Sequence, residues 1–121
     1  MPKAKILKIP ARGERAFVEI DSDAENRIPL EAMQSMIGGW IERRPLRRNG
    51  LDGLDLIINE EGKLKSLSYN PAATILSEIL FRGDCIVGDA FVCGCDDDLF
   101  SVGLTDEQEL ALRRRLQELG I

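Results

Sequence analysis

Two short blocks near the middle of the chain constrain its fold more than any other stretch. Residues 38–42 read Gly-Gly-Trp-Ile-Glu, which is typical of a helix that ends in glycine and runs into a strand. Residues 59–64 read Asn-Glu-Glu-Gly-Lys-Leu, and they predict a strand end, a tight turn in which Gly62 adopts positive φ, and a returning strand over residues 63–67. Together the two blocks predict the register of a small mixed sheet, and neither of them indicates a reaction.

Alternating polar and apolar residues predict further strands on both sides of these blocks. We expect strands over residues 4–9, 15–20, 39–46, 54–58, 85–93 and 99–102. Pro45 marks an edge of the sheet, because proline has no N–H to donate to a ladder. Gly88 and Asp89 interrupt the longest apolar strand, where a bulge is expected. The strand over residues 54–58 is apolar almost throughout and is therefore expected to be central.

Three helices are predicted from their end signals and from apolar residues at helical spacing. The first follows Pro29. The second has Asn70 as its cap and ends at Gly83. The third begins at Thr105, which forms a capping box with Gln108. The fold class is therefore α+β, with about five mostly antiparallel strands and three helices.

The length and composition are those of one soluble domain. The chain has 121 residues, of which 44% are hydrophobic and 31% charged, and this suits a single α+β domain over residues 1–121. It contains no run of about 18 apolar residues that would span a membrane, and its first residues lack the apolar region of a signal peptide. We therefore expect a cytoplasmic protein with no membrane contact.

The charged residues limit the classes of function. The formal charge of −5 argues against nucleic acid as a partner, since surfaces that bind nucleic acid are basic. Histidine is absent, which removes the usual general base and the commonest metal ligand. A Ser-His or Cys-His nucleophile pair is therefore excluded within this chain, and no cofactor is predicted.

Three cysteines lie close to an acidic run. Cys85, Cys93 and Cys95 are expected to be free thiols, and residues 96–98 are all aspartate. Thiolates and carboxylates suit different metals, and a structural zinc site needs four Cys or His ligands. We favour a strand end with small buried thiols and a solvated acidic loop over a metal site.

Four arginines form the basic cluster of the central region. Arg43, Arg44, Arg47 and Arg48 carry guanidinium groups, which bind phosphate through paired hydrogen bonds. A site for a small anion or a nucleotide is therefore one hypothesis. In a strand, however, Arg43 and Arg44 point to opposite faces, so a solvated edge strand whose charges deter pairing is the simpler interpretation.

Two single residues are further candidates. Trp40 is the only tryptophan and is a candidate anchor for a partner, although we favour a place for it in the core. Asp89 lies in an apolar stretch, and burial there would raise its pKa and suit it to acid–base chemistry. The alternative is a bulge that points the Asp89 side chain outward.

Five short motifs occur in a fixed order along the chain. They are Gly-Gly-aromatic-Ile-Glu at residues 38–42, Asn-Glu-Glu-Gly-Lys-Leu at 59–64, Asn70, an apolar strand with spaced glycines at 86–94, and Leu-Thr-x-Glu-Gln at 104–108. In this order they resemble a widespread domain of unknown function, which is found in small proteins of bacteria, their phages and conjugative elements. The resemblance covers about residues 30–108.

The resemblance implies an accessory protein of a phage or mobile element. It supplies no activity and no catalytic residues to transfer. The chain departs from the family pattern in the basic segment at residues 43–48 and in the cysteine-acidic stretch at residues 93–98.

Three functional hypotheses follow from the sequence. The favoured one is a non-enzymatic binding protein that occupies a host protein, forms a homodimer or sequesters a ligand, with anti-defence as one such role. The second is a binder of a small anionic ligand or nucleotide through the arginines of residues 43–48. The third is a minor enzyme that uses a carboxylate such as Asp89.

Overall fold

The chain forms an antiparallel sheet with helices packed on both faces. The computed structural model describes residues 2–46, 51–78 and 83–121. Its strands are β1 (Lys3–Ile9), β2 (Ala16–Asp21), β3 (Ile41–Pro45), β4 (Leu54–Asn59), β5 (Ala90–Cys95) and β6 (Ser101–Val102). Its helices are α1 (Leu30–Ile37), α2 (Pro71–Ser77) and α3 (Asp106–Leu119). The α+β fold class is confirmed.

The strand order explains which strands are most buried. The order is β2-β1-β5-β4-β3, with β6 paired to the end of β5, and every pairing among the described residues is antiparallel. Strand β4 lies between β3 and β5, and each of its residues is buried, which confirms the central position that its apolar sequence predicts. Strand β3 is the last strand of the described sheet, which confirms the edge predicted from Pro45.

Alternation along the strands builds a separate core on each face of the sheet. On one face, which we call the α2/α3 face, Leu56 and Val92 pack with Leu112 of α3. On the opposite face, the α1 face, Ile57 and Phe91 pack with residues of α1. Neighbouring residues of one strand therefore enter different cores.

The end of α1 and the start of α3 agree with their predicted caps, whereas the end of α2 does not. Gly38 ends α1 with a φ of 82°, a left-handed conformation that glycine adopts freely. In the capping box of α3, the Gln108 N–H donates to Thr105 Oγ1 at 3.1 Å and the Thr105 N–H donates to Gln108 Oε1 at 2.9 Å. The predicted end of the second helix at Gly83 is wrong, because α2 ends at Ser77, where Glu78 adopts a left-handed φ of 58° and its N–H donates to the Ile75 carbonyl. In the described residues, the helices are all too short or too polar to cross a membrane.

The returning strand predicted over residues 63–67 is wrong. This segment forms consecutive turns whose backbone bonds close locally, since the Lys65 N–H donates to the Glu61 carbonyl and the Leu67 N–H donates to the Gly62 carbonyl, both at 3.0 Å. Gly62 does not have the predicted positive φ either. A Cβ at Gly62 would lie 2.8 Å from Val87 Cγ2, so the glycine is needed for close packing.

The long strand predicted over residues 85–93 is also wrong in its first half. Strand β5 begins only at Ala90, and Gly88 has a φ of 83°, which ends the extended path. Val87 instead pairs with Tyr69 in an isolated bridge. Similarly, the third strand begins at Ile41, two residues later than predicted.

Asn70 joins the α2/α3 face to the sheet and does more than cap a helix. It is fully buried, and its Oδ1 accepts a hydrogen bond from the Ala73 N–H at 3.1 Å, which caps α2. Its Nδ2 donates to the carbonyls of Ile9 and Gly88, each at 2.9 Å. One side chain thus satisfies polar groups of three separate segments.

We predict that Asn70→Ala lowers the free energy of unfolding by about 3 kcal/mol, because it removes a cap and leaves two carbonyls without these partners. Asn70→Ser keeps an oxygen near the cap position but cannot reach both carbonyls, so its loss should be smaller. Urea unfolding measures both values. Equal losses in the two variants would show that the cap oxygen contributes nothing.

We also predict that Gly62→Ala destabilises the fold by roughly 1–3 kcal/mol through overpacking against Val87. Because the nearest atom belongs to the Val87 side chain, Val87→Ala should recover part of that loss in the double variant. Gly88 and Leu67 form the control pair. Because Gly88 has positive φ, Gly88→Ala is strained even where space is available, so Leu67→Ala should not recover its loss of stability. A double-mutant cycle that is additive at Gly62 and Val87 contradicts the packing explanation.

Candidate binding surface at the β3 edge

Trp40 lies on the surface, and its predicted place in the core is wrong. Its side chain is 61% exposed. The left-handed turn at Gly38 reverses the chain after α1, and Trp40 precedes β3 without entering either core. Its carbonyl accepts a hydrogen bond from the Glu60 N–H at 2.9 Å, so the backbone under the exposed ring is fixed.

Asn59 holds this junction together. It is 5% exposed, its Oδ1 accepts from the Glu61 N–H at 2.8 Å, and its Nδ2 lies 3.4 Å from the Ile37 carbonyl. A Cβ on Gly39 would lie 3.1 Å from the same Nδ2. The end of α1, the start of β3 and the turn after β4 therefore meet at one buried amide.

Leu64 is an exposed apolar residue that the sequence interpretation missed. It stands 85% exposed on the turn that Asn59 stabilises. The available signal was a leucine inside the Asn-Glu-Glu-Gly-Lys-Leu turn. The strand predicted over residues 63–67 did not indicate that this leucine would be exposed.

The arginines of β3 do not converge. Arg43 is opposite Ile57 and Arg44 is opposite Leu56, so the two side chains lie on different faces of the sheet. Arg44 Nε lies 2.9 Å from a Glu42 carboxylate oxygen, and the two form an ion pair without a hydrogen bond. Arg47 and Arg48 lie outside the described residues.

Arg43 instead connects β3 to the loop after β5. Its Nη1 donates to the Leu99 carbonyl at 2.6 Å. Leu99, with a φ of 68°, is 71% exposed, and its neighbour Phe100 is 50% exposed. We use the name β3 surface for Trp40, Ile41, Arg43, Leu99 and Phe100, which lie along or are linked to the outer strand and do not all lie on one face of the sheet.

Asp96 fixes the loop that carries Leu99 and Phe100. Its Oδ1 accepts from the N–H groups of Phe100 at 2.9 Å and Asp98 at 3.0 Å, and its Oδ2 accepts from Arg27 Nε at 2.9 Å. The Arg27 guanidinium also stacks 4.0 Å from the centre of the Phe100 ring. The Phe100 N–H and the Arg27 charge hold the pKa of Asp96 below its ordinary value. The predicted solvated acidic loop is thus partly an ordered structure.

The cysteines are poorly placed for chemistry. Cys93 is buried in the core of the α1 face, and burial raises its pKa to about 12. Burial also raises the pKa of Cys95. The predicted strand over residues 85–93 would contain both Cys85 and Cys93. In the structure, Cys85 precedes β5 and does not share a strand with Cys93. In residues 2–46, 51–78 and 83–121, no three His, Cys, Asp or Glu side chains are grouped so that they could hold a metal ion.

Asp89 is exposed, and its carboxylate accepts a backbone hydrogen bond. Its Oδ1 accepts a hydrogen bond from the Ala11 N–H at 2.9 Å and so fixes the turn that follows β1. The burial on which an acid–base role depends is absent at this residue. The outward-pointing alternative is the one that the structure supports.

A cleft of about 460 Å³, which no sequence pattern predicted, lies between the turn after β1 and the start of α2. Its wall includes Ile9, Pro10, Arg15, Pro71, Ala72 and Ile121. Arg15 donates two hydrogen bonds to the main-chain oxygen of Ile121, at 3.0 and 3.3 Å. The cleft is therefore mostly apolar, and its guanidinium group already has a partner.

We predict that Asp96→Asn lowers the free energy of unfolding at pH 7, and that its difference from the unmodified protein shrinks as the pH falls below about 4. The pKa of Asp96 is lower in the folded state than in the unfolded chain. Its charge therefore stabilises the fold above the unfolded-state pKa, and this contribution is lost as the pH falls through the folded-state pKa. The exposed neighbour Asp97, changed to Asn, is the control. Denaturant unfolding across the pH range measures both, and a difference that does not vary with pH contradicts the assignment.

One family comparison covers nearly the whole chain. Residues 4–117 match the family described as Domain of unknown function (DUF3846). No curated protein and no solved structure matches the chain. On the extent of that match, the chain belongs to the DUF3846 family of domains of unknown function.

Proposed function

We propose that this protein is a non-enzymatic binding protein that engages a partner protein through the β3 surface. The observation that carries the proposal is the exposure of Trp40, at 61%, on a junction fixed by a buried amide. Tryptophan is strongly enriched among the residues that dominate binding energy at protein interfaces. A ring left in solvent on a fixed backbone is well suited to such a role.

The β3 surface is ordered before any partner binds. Arg43 holds the Leu99 backbone, and Asp96 holds the backbone of Phe100. Exposed apolar side chains on ordered backbone lose less conformational entropy on binding than those on a flexible loop. The surface also combines an aromatic ring, aliphatic groups and an arginine, which is the composition enriched at interfaces.

The alternative functions have less support from the geometry. A nucleotide or small anion would need several guanidinium groups on one side, whereas Arg43 and Arg44 lie on opposite faces. An enzyme based on Asp89 would need a buried carboxylate with a second polar group in a cleft, whereas Asp89 is exposed on a turn.

The proposal includes an origin in a phage or a mobile element. Its support is the order of the five sequence motifs, and the family match is compatible with it without testing it. In that setting the partner would be a host protein, and interference with a host defence is one role of this kind. Tail, conjugation or counter-defence genes beside the coding sequence would support this origin.

Site-specific photo-crosslinking tests the proposed surface. A photoreactive amino acid replaces Trp40 in one variant and Leu110 in a second, matched variant, because Leu110 is similarly exposed at 57% but lies on α3, outside the β3 surface. We expect an adduct with a bacterial protein from position 40 and none from position 110. Trp40→Ala should then weaken binding of the captured protein by about 30-fold, in keeping with the loss of a dominant contact.

Two results would count against the proposal. Equal adducts from both positions would mean that capture is nonspecific. Adducts from neither position, with a monomer in size-exclusion chromatography, would mean that the exposed tryptophan does not serve an interface.

A further inference from the structure

The outer edge of β3 offers main-chain hydrogen-bonding groups at alternate residues. Two backbone bonds fix which residues these are, since the Glu60 N–H donates to the Trp40 carbonyl and the Leu46 N–H donates to the Leu54 carbonyl. In an antiparallel pair, residues that bond to the partner strand alternate with residues that point away from it. The even-numbered residues of β3 therefore face β4, and Ile41, Arg43 and Pro45 direct their main-chain groups outward.

No described strand covers this edge. The pairings of β3 within residues 2–46, 51–78 and 83–121 are all with β4. The outward groups are the N–H and carbonyl of Ile41, the N–H and carbonyl of Arg43, and the carbonyl of Pro45. Pro45 has no N–H, so a strand that paired here would find donors only at Ile41 and Arg43.

Building on the proposed function, we propose that the partner contributes an extended segment that pairs with the outer edge of β3 and places an acidic side chain beside Arg43. Only another extended main chain matches donors and acceptors that alternate in this way. Trp40 directly precedes the strand and Arg43 binds the Leu99 carbonyl, so the added segment would lie close to two exposed apolar residues.

The acidic side chain is inferred from the surroundings of Arg43. Its bonded partner is a neutral carbonyl of Leu99, and no carboxylate of the described residues forms an ion pair with it. Arg44 differs, because Glu42 lies beside it. A carboxylate from the partner would therefore give Arg43 an ion pair that the described residues do not provide.

A second copy of the chain is a poorer occupant than a partner segment. Two copies of β3 that use the outward groups of both Ile41 and Arg43 must pair around a two-fold axis at residue 42 or 43. The first arrangement places Glu42 opposite Glu42 of the other copy, and the second places Arg43 opposite Arg43. Like charges directly opposite each other destabilise a strand pair.

The matching edge on the other side of the sheet serves as a control. The Ser22 N–H donates to the Pro2 carbonyl, and Glu19 pairs with Lys5 in the same register, so the main-chain groups of Glu19 also point outward. Arg43→Pro and Glu19→Pro therefore each remove one outward N–H from an edge strand without removing a bond of the sheet. Pro45 shows that β3 accommodates proline at a residue whose main-chain groups point away from β4.

The test is selection of peptides from a random library displayed on phage, with the full chain immobilised. We expect enriched peptides in which an acidic residue alternates with β-branched or aromatic residues. Arg43→Pro should weaken the selected peptides by about tenfold or more, whereas Glu19→Pro should leave their affinity unchanged. Arg43→Ala keeps the N–H and should give a smaller loss that disappears at high salt. Two synthetic versions of a selected peptide complete the test, one methylated on the odd-numbered amide nitrogens and one on the even-numbered. Only the version whose methyl groups replace the N–H groups that face β3 should lose binding.

Several results would overturn strand addition. These are the absence of any enriched peptide, equal effects of Arg43→Pro and Glu19→Pro, and a concentration-dependent dimer that Arg43→Pro abolishes. Thermal unfolding of both proline variants checks that they remain folded. If either variant is unfolded, Arg43→Ala and the methylated peptides still test the inference. If Trp40 crosslinks specifically but Arg43→Pro is without effect, the proposed function stands and this inference falls.

Discussion

The burial of β4 on both faces is the constraint on which the rest of the structure depends. Each of its six residues is buried, so apolar side chains must be covered on both sides of the sheet. On the α2/α3 face, two helices provide that cover. On the α1 face, one helix of eight residues must do so, and it is only about 12 Å long.

On the α1 face, the helix packs against β3 and β4, and apolar side chains beyond its reach stay exposed. A sheet of five strands is about 19 Å wide, which is more than a single short helix can span. Ile41 of β3 is only partly buried, and Leu99 and Phe100 remain exposed beside it. Leu99 and Phe100 are exposed although α1 packs on β3, because neither side chain belongs to the core of this face.

Local signals in the sequence predicted much of this fold because they act over a few residues. The capping box at Thr105, the cap at Asn70 and the left-handed glycine at Gly38 each depend on atoms within one turn of helix. The apolar run of β4 depends on burial, which hydrophobicity reports directly. These elements lie where the sequence placed them.

The errors occurred where a distant contact decides the structure. Gly62 is a glycine because Val87 packs against it, and nothing close to Gly62 in the sequence indicates that neighbour. Trp40 was placed in the core on the general behaviour of tryptophan, but the bonds of Asn59 and Glu60 hold its backbone outside both cores. The β3 surface was missed as a unit for the same reason, since the bond from Arg43 to Leu99 joins residues far apart in the sequence.

The features of β3 admit two explanations, protection of an edge and reception of a strand. Charged residues and a proline deter unwanted pairing, and β3 has both. Protection, however, is served by charge and would gain nothing from an exposed tryptophan at the start of the strand or from an exposed leucine whose carbonyl Arg43 binds. Those side chains increase the apolar surface at an edge, which raises the risk of aggregation unless a partner covers it. Arg43 can satisfy both demands, because its charge repels another copy of the same strand and attracts an acidic one.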